Sequence, residues 1–91
     1  MKPTLTALDL GGGKIQLPFY KGHSHGVKFY SKRGDETEFT YMDRCTVSPY
    51  IDNRALLVPG KAEVRKYKAI YVHGDTEFGQ FSDQINVARS P

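Results

Sequence analysis

Apolar and polar residues alternate at period two through one short segment after another, and Gly, Pro or Asp stands at most boundaries between them. Alternation of this kind turns every second side chain to one face, which selects half-buried β-strands over helices. Ile15, Leu17 and Phe19 share one face, with Lys14, Gln16 and Pro18 on the other. Val27 and Phe29 alternate with Lys28 and Tyr30, and Phe39 and Tyr41 with Thr40 and Met42. Arg33-Gly34-Asp35 between them reads as a hairpin turn. The longest alternation runs from Val64 to Val72, with Tyr67, Ala69 and Tyr71 opposite Lys66, Lys68, Ile70 and Val72. Weaker signals at 4–10, 55–58 and 84–88 bring the expected strands to seven, whereas 48–53 reads as irregular. No window carries apolar residues at helical spacing with caps. The expectation is an all-β, seven-stranded antiparallel sandwich.

The 91 residues suffice for one domain with one core. The single Cys45 excludes an internal disulfide and a zinc site built on paired cysteines. Burial must therefore come largely from the five Phe and six Tyr, in a chain without Trp. The predicted core is Ile15, Leu17, Phe19, Val27, Phe29, Tyr67, Ala69, Tyr71, Ile85 and Val87. No apolar run approaches the roughly 20 residues of a membrane-spanning helix, so no membrane partner is expected. The opening MKPTLTALDL has no apolar signal-peptide core, which for a complete chain implies a cytoplasmic protein.

The net charge of +3 is unevenly distributed. Residues 61–68 hold Lys61, Arg65, Lys66 and Lys68 against Glu63 and account for all of it. Lys28, Lys32 and Arg33 are cancelled at once by Asp35, Glu36 and Glu38. A nucleic-acid binder usually carries a longer basic stripe with less acid in it.

Several segments resemble the fibronectin type III family over nearly the whole chain. Pro3-Thr4-Leu5-Thr6-Ala7 is similar to its first strand, and Ile15-Gln16-Leu17-Pro18-Phe19 to its second, with Phe19 where the family usually has Trp. Tyr67-Lys68-Ala69-Ile70-Tyr71-Val72 resembles the penultimate strand, and Gly79-Gln80-Phe81-Ser82-Asp83 the lead-in to the last. The segments 26–34, 48–54 and 64–71 also resemble C-terminal β-domains of uncharacterised bacterial proteins, in which a helical segment precedes the domain. That resemblance implies an immunoglobulin-like, fibronectin type III-like fold across residues 1–91 and a place at the end of a longer protein. It implies no catalytic residue.

Motifs with chemical meaning are few. Arg33-Gly34-Asp35 matches an integrin-recognition tripeptide but is what a charged turn with a positive-φ glycine looks like. His23 and His25, with His73 from another loop, lack a carboxylate motif beside them, and no metal is expected. Cys45 has no local base to activate it. Gly11-Gly12-Gly13-Lys14 lacks the glycine spacing, the Ser or Thr and the helix of a phosphate loop. No cofactor or catalytic set is expected. Binding, in a sandwich, falls to loops, outer faces and edges. The loops at 21–26 and 73–81 offer His23, His25, Asp75 and Phe78, the last either an exposed anchor for a partner or folded back over the sandwich end. The expected function is a non-catalytic module for protein interaction, docking or spacing, its partner another protein or a neighbouring domain. The alternative is a single-stranded nucleic-acid binder using Lys61, Arg65, Lys66 and Lys68. Alternation counts against it, because Lys66 and Lys68 leave the strand opposite Tyr67 and Tyr71.

Overall fold

The computed structural model describes residues 2–11, 14–20, 22 and 24–89, the Arg89 side chain excepted. The described residues form ten strands and no helix. These are β1 (Thr4–Leu5), β2 (Leu8–Gly11), β3 (Lys14–Leu17), β4 (Phe19–Tyr20), β5 (Gly26–Arg33), β6 (Thr40–Cys45), β7 (Tyr50–Asp52), β8 (Glu63–His73), β9 (Thr76–Phe78) and β10 (Ile85–Arg89). Every pairing is antiparallel. One sheet runs β2-β3-β7; the larger one runs β10-β8-β5-β6; β1 and β4 pair with each other.

The long alternating segments set the register. Val27 and Phe29 on β5 lie opposite Tyr71 and Ala69 on β8, so their shared face is apolar. Ile15, Leu17 and Phe19 come to the same core from β3 and β4, with Leu5 from β1. Phe19 meets Phe29 edge to face at 5.5 Å between ring centroids, and Phe29 stacks on Tyr50 at 5.0 Å. Eight of the ten predicted core residues are buried; Ile85 and Val87 are half-buried, because β10 is an edge strand with only β8 beside it.

Five segments depart from the expectation, one of them at 76–78, where β9 forms inside the loop expected over 73–81. The strands expected over 4–10 and 14–19 each break in two, the second at Pro18, which has no N–H to give a ladder. The Pro18 carbonyl instead accepts the Thr6 N–H at 3.2 Å. Residues 50–52, inside the stretch expected to be irregular, form β7 against β3. The apolar run 55–58 is not a strand. Its polar backbone is met by side chains: the Ala55 carbonyl accepts from Arg33 Nη1 at 3.0 Å, and the Leu57 N–H donates to Glu63 Oε1 at 2.8 Å.

β9 and β10 lie one after the other along the same edge of β8, facing residues 71–73 and 63–67 respectively. Ser82 fills the gap between them. Its N–H donates to the Ala69 carbonyl at 2.7 Å, and its Oγ accepts from the Ala69 N–H at 2.9 Å. The Arg33-Gly34-Asp35 segment is a turn, with Gly34 at φ +55° and its N–H bonded to the Val64 carbonyl at 2.9 Å.

Candidate functional site

Three groups of chemistry-bearing residues are candidates: a buried ionic cluster, a loop end with two histidines, and a sheet face of lysines and aromatics.

In the buried cluster, β7 and β8 turn Asp52, Glu63, Arg65 and Tyr67 inward, and Arg54 reaches in from the segment after β7. Arg65 is 0% exposed and Asp52 1%. Asp52 Oδ2 accepts from the Tyr67 hydroxyl at 2.6 Å, from Arg54 Nη2 at 2.9 Å and from Arg65 Nη1 at 3.3 Å. Its Oδ1 accepts from Arg54 Nε at 2.9 Å. Arg65 also donates to Glu63 Oε2 at 3.1 Å and to the Arg54 carbonyl at 3.0 Å. Two carboxylates thus face two guanidinium groups, and charge balances inside the fold. Burial alone would raise the Asp52 carboxyl, but hydrogen bonds from Arg54 and Tyr67 and the Arg54 charge outweigh it and hold the group at about 2. Burial, then the hydrogen bond to Asp52, pushes the Tyr67 hydroxyl well above its usual range. With its side-chain groups turned on one another, this cluster is a structural brace. The Tyr67 hydroxyl is spent on the Asp52 carboxylate.

At the loop end, His25 and Phe78 both pack on the His73 ring, whereas Asp75 goes to Arg44 instead; His23 lies outside the described residues. His25 Nδ1 accepts the Gly74 N–H at 2.7 Å, and the His25 and His73 rings meet edge to face at 4.5 Å. Phe78 is half-buried on β9, stacked on Tyr71 at 5.6 Å and on His73 at 4.6 Å, so it folds back onto the sheet. Asp75 pairs with Arg44 at 2.8 Å. No group of three or more His, Cys, Asp or Glu among the described residues can hold a metal. Cys45 points its thiol at the Val47 carbonyl, 3.0 Å away.

The basic segment 61–68 does not form one surface. Arg65 belongs to the buried cluster, which removes it from any phosphate contact, and Lys61 lines a shallow hollow with Gly34, Asp35, Leu57 and Val58. Lys66 and Lys68 face outward on β8, and the register sets Lys32 opposite Lys66 and Tyr30 opposite Lys68. Tyr41 on β6 lies opposite Tyr30, after a bulge at Phe29/Tyr30 that brings the two rings to 5.8 Å. Tyr30 also meets Phe81 at 5.3 Å. Lys68 Nζ sits 4.5 Å from the Phe39 ring centroid and 4.1 Å from that of Phe81, within cation–π range of both. The Tyr30 hydroxyl donates to Glu77, and that bond, with burial, pushes it up to about 12.

This face escaped the sequence reading because its rings come from elsewhere than β8. Lys28, Tyr30 and Lys32 alternate on β5, which was a usable signal. The arrival of Phe39, Tyr41 and Phe81 on the same side depends on the bulge and on the segment between β9 and β10.

Comparison with protein-family models, with curated proteins and with solved structures returns no match for this chain. Among the described residues no helix is long and apolar enough to cross a membrane.

Proposed function

We propose that the chain is a non-catalytic, fibronectin type III-like sandwich module that works by docking, with the outer face of the β10-β8-β5-β6 sheet as its contact surface. Support for the fold comes from the strand breaks. With β1 continued by β2, β3 by β4 and β9 by β10, the ten segments trace seven antiparallel lines. One observation carries the functional reading: the side chains of Asp52, Glu63, Arg65 and Tyr67 are turned on one another inside the fold, while three cations without a carboxylate partner share one sheet face. Lys32, Lys66 and Lys68 have no described carboxylate within 4.0 Å. Such a face suits an anionic partner better than an apolar one.

The test is a titration of ¹⁵N-labelled protein with inorganic polyphosphate, a polyanion with neither bases nor peptide groups. Shift changes centred on the amides of Lys32, Lys66 and Lys68 are expected. Changes centred on Gly74–Phe78 or on the Gly34/Leu57 hollow would move the contact surface elsewhere and overturn the reading.

A further inference from the structure

We propose that this sheet face binds single-stranded nucleic acid, its lysines holding phosphates and Tyr41 stacking on a base. The proposal rests on the reading of the face as the contact surface and names the occupant.

Charge gives the first argument. Lys28, Lys32, Arg44, Lys66 and Lys68 stand on the face against Asp75 and Glu77, a net charge equal to the +3 of the whole chain. Everything else in the molecule sums to zero. Lys32 and Lys66 are direct cross-strand partners, an arrangement that destabilises a sheet when both residues carry the same charge. Phosphates placed between them would relieve that repulsion.

Aromatic placement gives the second argument and separates nucleic acid from an acidic protein. Lysine is depleted in the cores of protein–protein interfaces, whereas nucleic-acid interfaces are strongly cationic. An acidic peptide needs the lysines alone. A single strand uses rings as well, because every base has a face to stack. Tyr41 is 54% exposed, backed by Tyr30 at 5.8 Å and approached by Lys28 Nζ at 5.8 Å from its ring centroid, and among the described residues no hydrogen bond engages its hydroxyl. It is the ring on this face most open to a base. Phe39 and Phe81 hold Lys68 in place between them. Duplexes keep their bases stacked on one another and offer this open face only phosphates, so the geometry favours a strand with splayed bases. Asp35 and Glu38 in the loop beyond Lys32 close that end. The strand would therefore run across the sheet from Tyr41 toward β10.

Fluorescence anisotropy with labelled 12-nucleotide oligo(U) and oligo(dT), across a salt series, tests this. Binding that weakens with salt is expected. The double variant Lys32→Gln/Lys66→Gln should lower the slope of log K against log salt by about 1.4, at about 0.7 for each phosphate no longer neutralised. Tyr41→Leu keeps an apolar cover but no ring; it should weaken oligonucleotide binding roughly 5- to 100-fold and leave polyphosphate binding unchanged. Lys14→Gln/Lys61→Gln, on other surfaces, should leave the slope as it is. Circular dichroism melts confirm that each variant is folded. Oligonucleotides bound no tighter than polyphosphate, a polyglutamate peptide bound more tightly than either, or a duplex bound as well as a single strand would each overturn the nucleic-acid assignment while leaving the face a polyanion surface. Absence of binding to oligonucleotide and polyphosphate alike would overturn both readings.

Discussion

Asp52 holds two arginines and a tyrosine with one carboxylate, and its removal is unlike the loss of a surface ion pair. Breaking a buried pair from one side leaves the opposite charge uncompensated, typically at a cost of about 3–5 kcal/mol. Asp52→Asn is therefore expected to lose that much in urea unfolding at pH 7. The pH dependence follows from the same residue. Its carboxyl is held at about 2 in the fold, below the roughly 3.9 of an unfolded aspartate, so its contribution is complete above about pH 5 and lost as pH falls through 4 toward 2. The part assigned to Asp52 is about 2–3 kcal/mol, and Asp52→Asn should flatten that segment of the stability curve. Tyr67→Phe keeps the ring and removes only the donor to Asp52 Oδ2; a loss of about 1.5–3 kcal/mol is expected, the range for a hydrogen bond to a charged group. Burial of Tyr67 was legible from its parity with Ala69 and Tyr71, and Arg65 has that parity too. What hid Arg65 was its run of basic neighbours together with partners at 52 and 54, which no local pattern connects to it.

Among the elements, the period gives the inward face of β3, β5 and β8 but not of β6, where Tyr41 is exposed and Met42 packs on the core. β3, β5 and β8 each carry three or more alternating positions, which is enough to decide which face goes inside. β7 has three residues, too few to show a period, and its inward residues are Tyr50 and Asp52, not aliphatics. The 55–58 run misled for a different reason. It has strand-like side chains, but Arg33, Glu63 and Arg65 occupy backbone groups there that a neighbouring strand would need. Close approach between elements is set at Gly26, where β5 begins. A Cβ there would lie 2.6 Å from the Cys45 carbonyl oxygen and 3.1 Å from Thr46 Cα, both backbone atoms. Gly26→Ala must push the end of β6 away, and a loss of about 1–3 kcal/mol is expected, as for other overpacked sites. Thermal melts of the variant check it; an unchanged midpoint would mean that the β5–β6 ladder gives way freely at that end.

Across the whole molecule, the carboxylates and guanidinium groups that neutralise each other are inside or at the loop end, and Lys32, Lys66 and Lys68 of the large sheet are left without a described counter-charge within 4.0 Å. Stability and binding therefore pull on Lys66 in opposite directions. Its cross-strand neighbour is Lys32, and replacing one of two like charges by its opposite turns a repulsion into an attraction. Lys66→Glu is expected to raise stability by about 0.2–1 kcal/mol at low ionic strength, the range for exposed cross-strand pairs, while weakening polyanion binding. Salt gives the independent check. The Debye length shrinks from about 30 Å at 0.01 M to about 8 Å at 0.15 M, so added salt relieves the repulsion in the natural sequence. The melting temperature of the natural protein should rise over that range, while that of Lys66→Glu stays level or falls. A Lys66→Glu variant less stable than the natural protein at low salt would show that the lysine face carries no electrostatic strain, and would remove the first argument for a polyanion there.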